Sequence, residues 1–143
     1  MSKTDIPNYS YLIIDDDKVT CALIKSLLSR QGASGIEVAD NGKTAMKLIK
    51  AASRFPDIII CDLNMPDMDG VEFVQYLAHE YFTGGLILTS GSAQNMLNAV
   101  RRFGQAWFLN ILATLPKPFE PEALLECLAR YDKDHRASTP QGH

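Results

Sequence analysis

Apolar residues come in two rhythms along this chain. Tyr11-Leu12-Ile13-Ile14, Ile58-Ile59-Ile60-Cys61, Leu86-Ile87-Leu88-Thr89 and Ile111 to Leu115 are short continuous runs, and Ile36-Glu37-Val38-Ala39 is a weaker one. Unbroken runs of this length fit parallel strands buried on both faces. Between them, apolar residues recur every three or four positions. Val19, Leu23 and Leu27, joined by Ile24 and Leu28, predict a helix to about Arg30, stopped by Gly32. After a turn at Asn41-Gly42, Ala45, Leu48, Ile49 and Ala52 mark the apolar face of a second. Val71, Val74, Leu77, Ala78 and Tyr81 mark a third over 71–81, and Gly84-Gly85 opens the next strand. Met96, Leu97, Val100, Phe103, Trp107 and Phe108 predict a fourth from 94 to about 110, crossed by Gly104. The last begins at Pro121, capped by Glu120, with Leu124, Leu125 and Leu128 inward.

The pattern is β-α five times over, which implies a parallel sheet covered by helices on both faces. Right-handed crossovers leave few topologies. The expected fold is α/β, a flavodoxin-like (βα)5 three-layer sandwich with strand order 2-1-3-4-5. Residues 1–8 are expected to be a polar leader, 9–131 the domain, and 132–143 a frayed tail or linker.

Composition narrows the class. A chain of 143 residues, 46% hydrophobic and 22% charged, is expected to form one soluble domain with a real core. A net charge of −3 gives no basic field for nucleic acid or an anionic membrane. No apolar run approaches the roughly 20 residues of a membrane span, and Met1 to Asp5 lack the apolar core of a signal peptide. Cys21, Cys61 and Cys127 are odd in number, far apart and mostly within apolar patterns, so they read as reduced core thiols of a cytoplasmic protein. His79, His135 and His143 lack metal-ligand spacing and are expected at the surface.

The chemistry gathers where strands end. In an open α/β sheet, ligands bind at the carboxyl ends of strands. There the first strand delivers Asp15, Asp16 and Asp17, the third Asp62, the fourth Ser90-Gly91-Ser92 and the fifth Lys117 between two prolines. Acids at a helix start can simply cap it, and Ser-Gly can simply turn the chain. Convergence argues for more. Two unit charges about 4 Å apart repel by roughly 4 kcal/mol at an effective dielectric of 20. A cluster of Asp15, Asp16 and Asp62 therefore needs protons or a cation, and hard oxygen ligands suit Mg²⁺. An ammonium and a hydroxyl beside that metal suit a tetrahedral phosphoryl group, which makes Asp62 a candidate nucleophile.

Asp15-Asp16, then Asp62-Leu63-Asn64-Met65-Pro66-Asp67-Met68-Asp69-Gly70, then Ser90-Gly91, then Lys117-Pro118-Phe119 resemble the receiver domain of two-component response regulators, over about residues 9 to 131. The resemblance implies that Asp62 accepts a phosphoryl group from a phosphohistidine on a histidine kinase or phosphotransfer protein. It implies that Asp16, Asp62 and the Asn64 main-chain carbonyl hold Mg²⁺, with Asp15 reaching it mostly through water. It also implies that Ser90 and Lys117 contact the phosphoryl oxygens, that Lys117-Pro118 is cis, and that Asn64 and Ser92 tune hydrolysis. Such a domain is a signalling phosphoacceptor with no turnover beyond its own phosphotransfer and slow dephosphorylation.

Two positions depart from the family pattern. Thr114 stands where many receivers carry an aromatic switch, and the stretch from Ser90 to Lys117 is longer than usual. The extra length resembles receivers coupled to cyclic-di-GMP phosphodiesterase (EAL) domains, which would make the chain part of a longer protein. The surplus of Leu97, Val100, Phe103, Trp107 and Phe108 points to a homodimer or output contact on the face made by the fourth helix, the fifth strand and the last helix. Phosphorylation would switch that face to control an output domain or partner. A receiver-like interaction module that works without phosphate is the alternative. A true aspartate-nucleophile phosphatase is less favoured, since Asn64 stands where it needs an acid.

Overall fold

The computed structural model describes residues 9–64, 70–94 and 109–138. Its elements are β1 (Ser10–Ile14), α1 (Lys18–Arg30), β2 (Gly35–Ala39), α2 (Gly42–Ala51), β3 (Ile58–Asp62), α3 (Gly70–His79), β4 (Gly85–Ser90), β5 (Asn110–Pro116) and a last helix, here α4 (Pro121–Ser138). The strands form one parallel sheet in the order β2-β1-β3-β4-β5. This is the flavodoxin-like arrangement that the alternating pattern predicts.

The continuous apolar runs are explained by two cores, one on each side of the sheet. Leu12, Ile14, Ile59, Cys61, Leu86 and Leu88 point into the layer under α2 and α3. Tyr11, Ile13, Ile58, Ile60 and Ile87 point into the layer under α1 and α4. Period-two alternation thus survives in direction, while every position is apolar because both directions lead to core. Cys21, Cys61 and Cys127 are buried and are not joined by a disulfide. No helix among the described residues is long and apolar enough to cross a membrane.

Several helix faces differ from those read off the spacing. In α1 the buried stripe is Cys21, Ile24 and Leu28, and Val19 and Leu23 are 67% and 66% exposed. Both sets satisfy helical spacing. Which one faces the sheet depends on the angle at which the loop delivers the helix, and periodicity carries no such information. In α2, Ala52 is the exposed C-cap rather than part of the apolar face, and Asn41 is the N-cap, accepting from the Thr44 N–H at 2.8 Å. In α3, Phe73 is fully buried alongside Val74 and Leu77, whereas Tyr81 is 71% exposed. The helix ends at His79. Tyr81 then takes φ 59°, with Phe82 N–H donating to Leu77 C=O and Tyr81 N–H to Ala78 C=O. This is a left-handed helix ending, which drives Phe82 inward as Tyr81 turns out. The end of α1 has the same bond pattern at Gly32, φ 91°, where glycine is the natural occupant.

The last helix also runs further than expected. Residues 132–138, predicted as the start of a tail, continue α4 to Ser138. Asp132 is buried and accepts a 2.9 Å hydrogen bond from the Tyr9 hydroxyl, so a polar residue is used inside the fold. At the other edge, the pairing of β4 with β5 slips by one residue at Leu86/Ile87. The bulge places Leu112 and Ala113 in succession on the α1/α4 side. Leu112 then lies over Gly85, where an added Cβ would come within 2.7 Å of its side chain. Residues 1–8 and 95–108, including the predicted fourth helix with Leu97, Val100, Phe103, Trp107 and Phe108, lie outside the described residues.

Candidate functional site

Ladder hydrogen bonds continue past the strand ends and fix the tips against one another. Asp15 N–H donates to Ala39 C=O at 3.1 Å, Leu63 N–H to Thr89 C=O at 2.9 Å, and Lys117 N–H to Ser90 C=O at 2.8 Å. The residues carrying the candidate chemistry therefore sit on an extension of the sheet.

Asp62 and Asp15 are each 3% exposed, and they share one design. Asp15 Oδ1 accepts from the Asp17 N–H at 2.9 Å and Asp62 Oδ1 from the Asn64 N–H at 3.0 Å. Each carboxylate thus uses one oxygen to tie down the turn that follows it. The Oδ2 atoms of both meet the Lys117 ammonium, at 2.7 Å from Asp15 and 3.2 Å from Asp62. The Lys117-Pro118 peptide is cis, as the resemblance implies. Asp16 is exposed, and Asp15, Asp16 and Asp62 each offer an oxygen within 4.8 Å of the others. Of the three consecutive acids, Asp17 is the cap: it accepts from the Val19 N–H at 3.1 Å and the Thr20 hydroxyl at 2.7 Å.

The electrostatics follow from burial and shortage of cations. Burial raises the Asp62 carboxyl above its ordinary range; the nearby Asp15 adds to this, and the Asn64 N–H and Lys117 oppose it. For Lys117, burial pulls downward, but its bonds and charge pairing with Asp15 and then Asp62 outweigh that and raise it. The Asp17 carboxyl is held low by the Thr20 hydroxyl and the Val19 N–H. Burial lifts the Cys21 thiol to about 11, helped by Asp15, and this thiol donates to the Asp15 carbonyl at 3.2 Å. Three carboxylates and one ammonium leave a net deficit of positive charge in a partly dry site. That donor set, all hard oxygens with one exposed member, fits a divalent ion such as Mg²⁺.

Ser90, 1% exposed, lies beside this group with its hydroxyl bonded to Asn64 Oδ1 at 2.6 Å. It also accepts from the Ser92 N–H at 3.0 Å and lies 3.1 Å from the Ser92 carbonyl. The structure thus brings Asp15, Asp16, Asp62, Lys117, Ser90 and Asn64 to one place. What the sequence did not reveal is that Asn64 reaches Ser90 through its side chain. Two residues from different strand tips meet there, and no local spacing encodes that.

The profile of the response regulator receiver domain matches residues 11–129. This chain belongs to the response regulator receiver family. It is 34% identical over 122 residues to the nitrate/nitrite response regulator protein NarL of Escherichia coli K12, covering 82% of this chain and 51% of that one. It is 28% identical over 121 residues to the cyclic di-GMP phosphodiesterase RocR of Pseudomonas aeruginosa, covering 85% and 31%. The chain therefore spans about half of the first relative and under a third of the second. A response regulator from Colwellia psychrerythraea has a similar structure, with TM-score 0.72, 30% identity, and coverage of 90% of this chain and 99% of that one. Receiver domains are signalling phosphoacceptors that interact with histidine kinases and output domains.

Proposed function

We propose that this receiver domain takes a phosphoryl group onto Asp62 from a phosphohistidine on a histidine kinase or phosphotransfer protein. The observation that carries this reading is the Lys117 ammonium, bonded to the Oδ2 atoms of both Asp15 and Asp62 at the strand tips. An Asp62 carboxylate oxygen attacks phosphorus, the P–O bond forms, the P–N bond breaks, and the imidazole leaves with the bonding pair and takes up a proton. Asp16, Asp62 and the Asn64 main-chain carbonyl are the groups that would hold Mg²⁺, with Asp15 behind them. Bound there, the ion offsets the repulsion between carboxylate and incoming phosphoryl oxygens. Lys117 meets one phosphoryl oxygen with a point charge already held in place by Asp15. Ser90 offers its hydroxyl to another.

The domain turns over no external substrate in this reading. Phosphorylation shifts a two-state arrangement that an output domain, a partner or a second copy then reads. A cytoplasmic setting suits three buried thiols that are not joined by a disulfide. An output of the cyclic-di-GMP phosphodiesterase kind is supported by the long stretch from Ser90 to Lys117 and by the RocR likeness. Incubation with Mg²⁺ and acetyl phosphate tests the core of the reading. The expected result is the mass gain of one phosphoryl group, absent in Asp62→Asn. An unchanged mass for the unmodified protein, with Mg²⁺ bound, would favour a module that works by binding only.

A further inference from the structure

The single hydrogen of the Ser90 hydroxyl already has a partner before any phosphoryl group arrives. It has one hydrogen, and the nearest acceptor is Asn64 Oδ1 at 2.6 Å, ahead of the Ser92 carbonyl at 3.1 Å. Its lone pair receives the Ser92 N–H at 3.0 Å. Its carbonyl is held by the Lys117 N–H at 2.8 Å, which ties its backbone to the next strand tip. Rotation of the side chain is the smallest movement that redirects the hydroxyl. Asn64, for its part, is bonded at both ends: its N–H goes to Asp62 Oδ1 at 3.0 Å and its side-chain oxygen to Ser90.

We infer that the Asn64 side chain is a latch that holds the Ser90 hydroxyl in the resting state and must release it before Ser90 can serve a phosphoryl group on Asp62. The inference rests on the reading of Asp62 as phosphoacceptor. It makes Asn64 a positioning residue acting through Ser90. The direction of the exchange follows from bond strength: a hydroxyl bonded to a phosphoryl dianion is roughly twice as strong as one bonded to a neutral amide. The released amide strands nothing, because Asn64 is exposed and water replaces its partner. Ser90, at 1% exposed, has no water to turn to, and its one hydrogen goes to Asn64, to the Ser92 carbonyl or to the phosphoryl group.

A double-mutant cycle tests this, reading the rate of Asp62 phosphorylation by acetyl phosphate with Mg²⁺ through the mass of the protein. Asn64→Ala keeps the main-chain carbonyl and removes only the latch. The expected result is phosphorylation faster by about threefold to tenfold, the scale of one neutral hydrogen bond. That gain should vanish when Ser90→Ala is already present, and should return when Ser90→Thr restores a hydroxyl. An equal effect of Asn64→Ala with and without the Ser90 hydroxyl, or no acceleration, overturns the latch while leaving Asp62 as phosphoacceptor. An unmodified protein that takes no phosphoryl group overturns both.

Discussion

The Lys117 ammonium makes its shorter bond, 2.7 Å, to Asp15, and reaches Asp62 only at 3.2 Å. The lysine is therefore anchored by a neighbour of the proposed acceptor as well as by the acceptor itself. Lys117→Met leaves two buried carboxylates facing each other. The expected cost is about 2 kcal/mol of stability, below the roughly 3–5 kcal/mol of a fully buried pair because the lysine side chain is 23% exposed. Denaturant unfolding checks the loss, and added Mg²⁺ should recover part of it.

Asp62→Asn should make the fold more stable at neutral pH. The folded-state carboxyl titrates above its ordinary value of 3.8, with burial as the first cause, so its ionised form penalises the fold. That penalty is complete above the raised value and gone below 3.8, where the carboxyl is protonated in folded and unfolded chains alike. The melting temperature of Asp62→Asn should accordingly exceed that of the unmodified protein near neutrality, and the difference should shrink steadily on acidification. A difference that grows toward acid would contradict the direction assigned to Asp62.

Mg²⁺ should stabilise the chain by mass action. At about ten times its dissociation constant the gain is about 1.4 kcal/mol, and chelation should remove it. Asp16→Ala should weaken this response without creating a buried orphan, since Asp16 is exposed. Thermal melts across a Mg²⁺ series, compared with NaCl of equal ionic strength, separate binding from screening.

Two backbone positions near the end of α3 should respond in opposite senses. Tyr81→Gly relieves a left-handed conformation, φ 59°, worth about 1 kcal/mol. The greater freedom of glycine in the unfolded chain offsets part of that, leaving a net gain of about 0.5 kcal/mol. Gly84→Ala would push a Cβ to 2.5 Å from the Asp57 carbonyl and 2.7 Å from the Phe82 ring, where backbone has no room to yield. The expected loss is about 3 kcal/mol, the upper end for overpacking. Chemical denaturation of the two variants checks both signs.

The strands and the polar groups at their ends were legible because burial on both sides imposes an apolar run, and the run's end fixes where chemistry can sit. Asp15, Asp62 and Lys117 needed only their place after a strand. The orientation of α1 was not legible: Val19 and Leu23 fit a helix face as well as Ile24 and Leu28 do, and only docking chooses between them. Nor was the end of α4, since Asp132 looks like solvent-facing polarity until Tyr9 bonds it from 123 residues away. The Ser90–Asn64 bond joins two strand tips, and the bulge at Leu112 depends on pairing, so neither leaves a local trace.

Main-chain bonds beyond the strand ends, Leu63 to Thr89 and Lys117 to Ser90, root the reactive groups in the sheet itself. Asp17, Asn64 and Ser92, just past the tips, orient the carboxylates and the hydroxyl, and peptide inserted beyond them leaves the spacing of carboxylate, ammonium and hydroxyl to the sheet. Evolution can thus lengthen or rewrite the outer connections to suit a new listener while the receiving centre keeps its tuning.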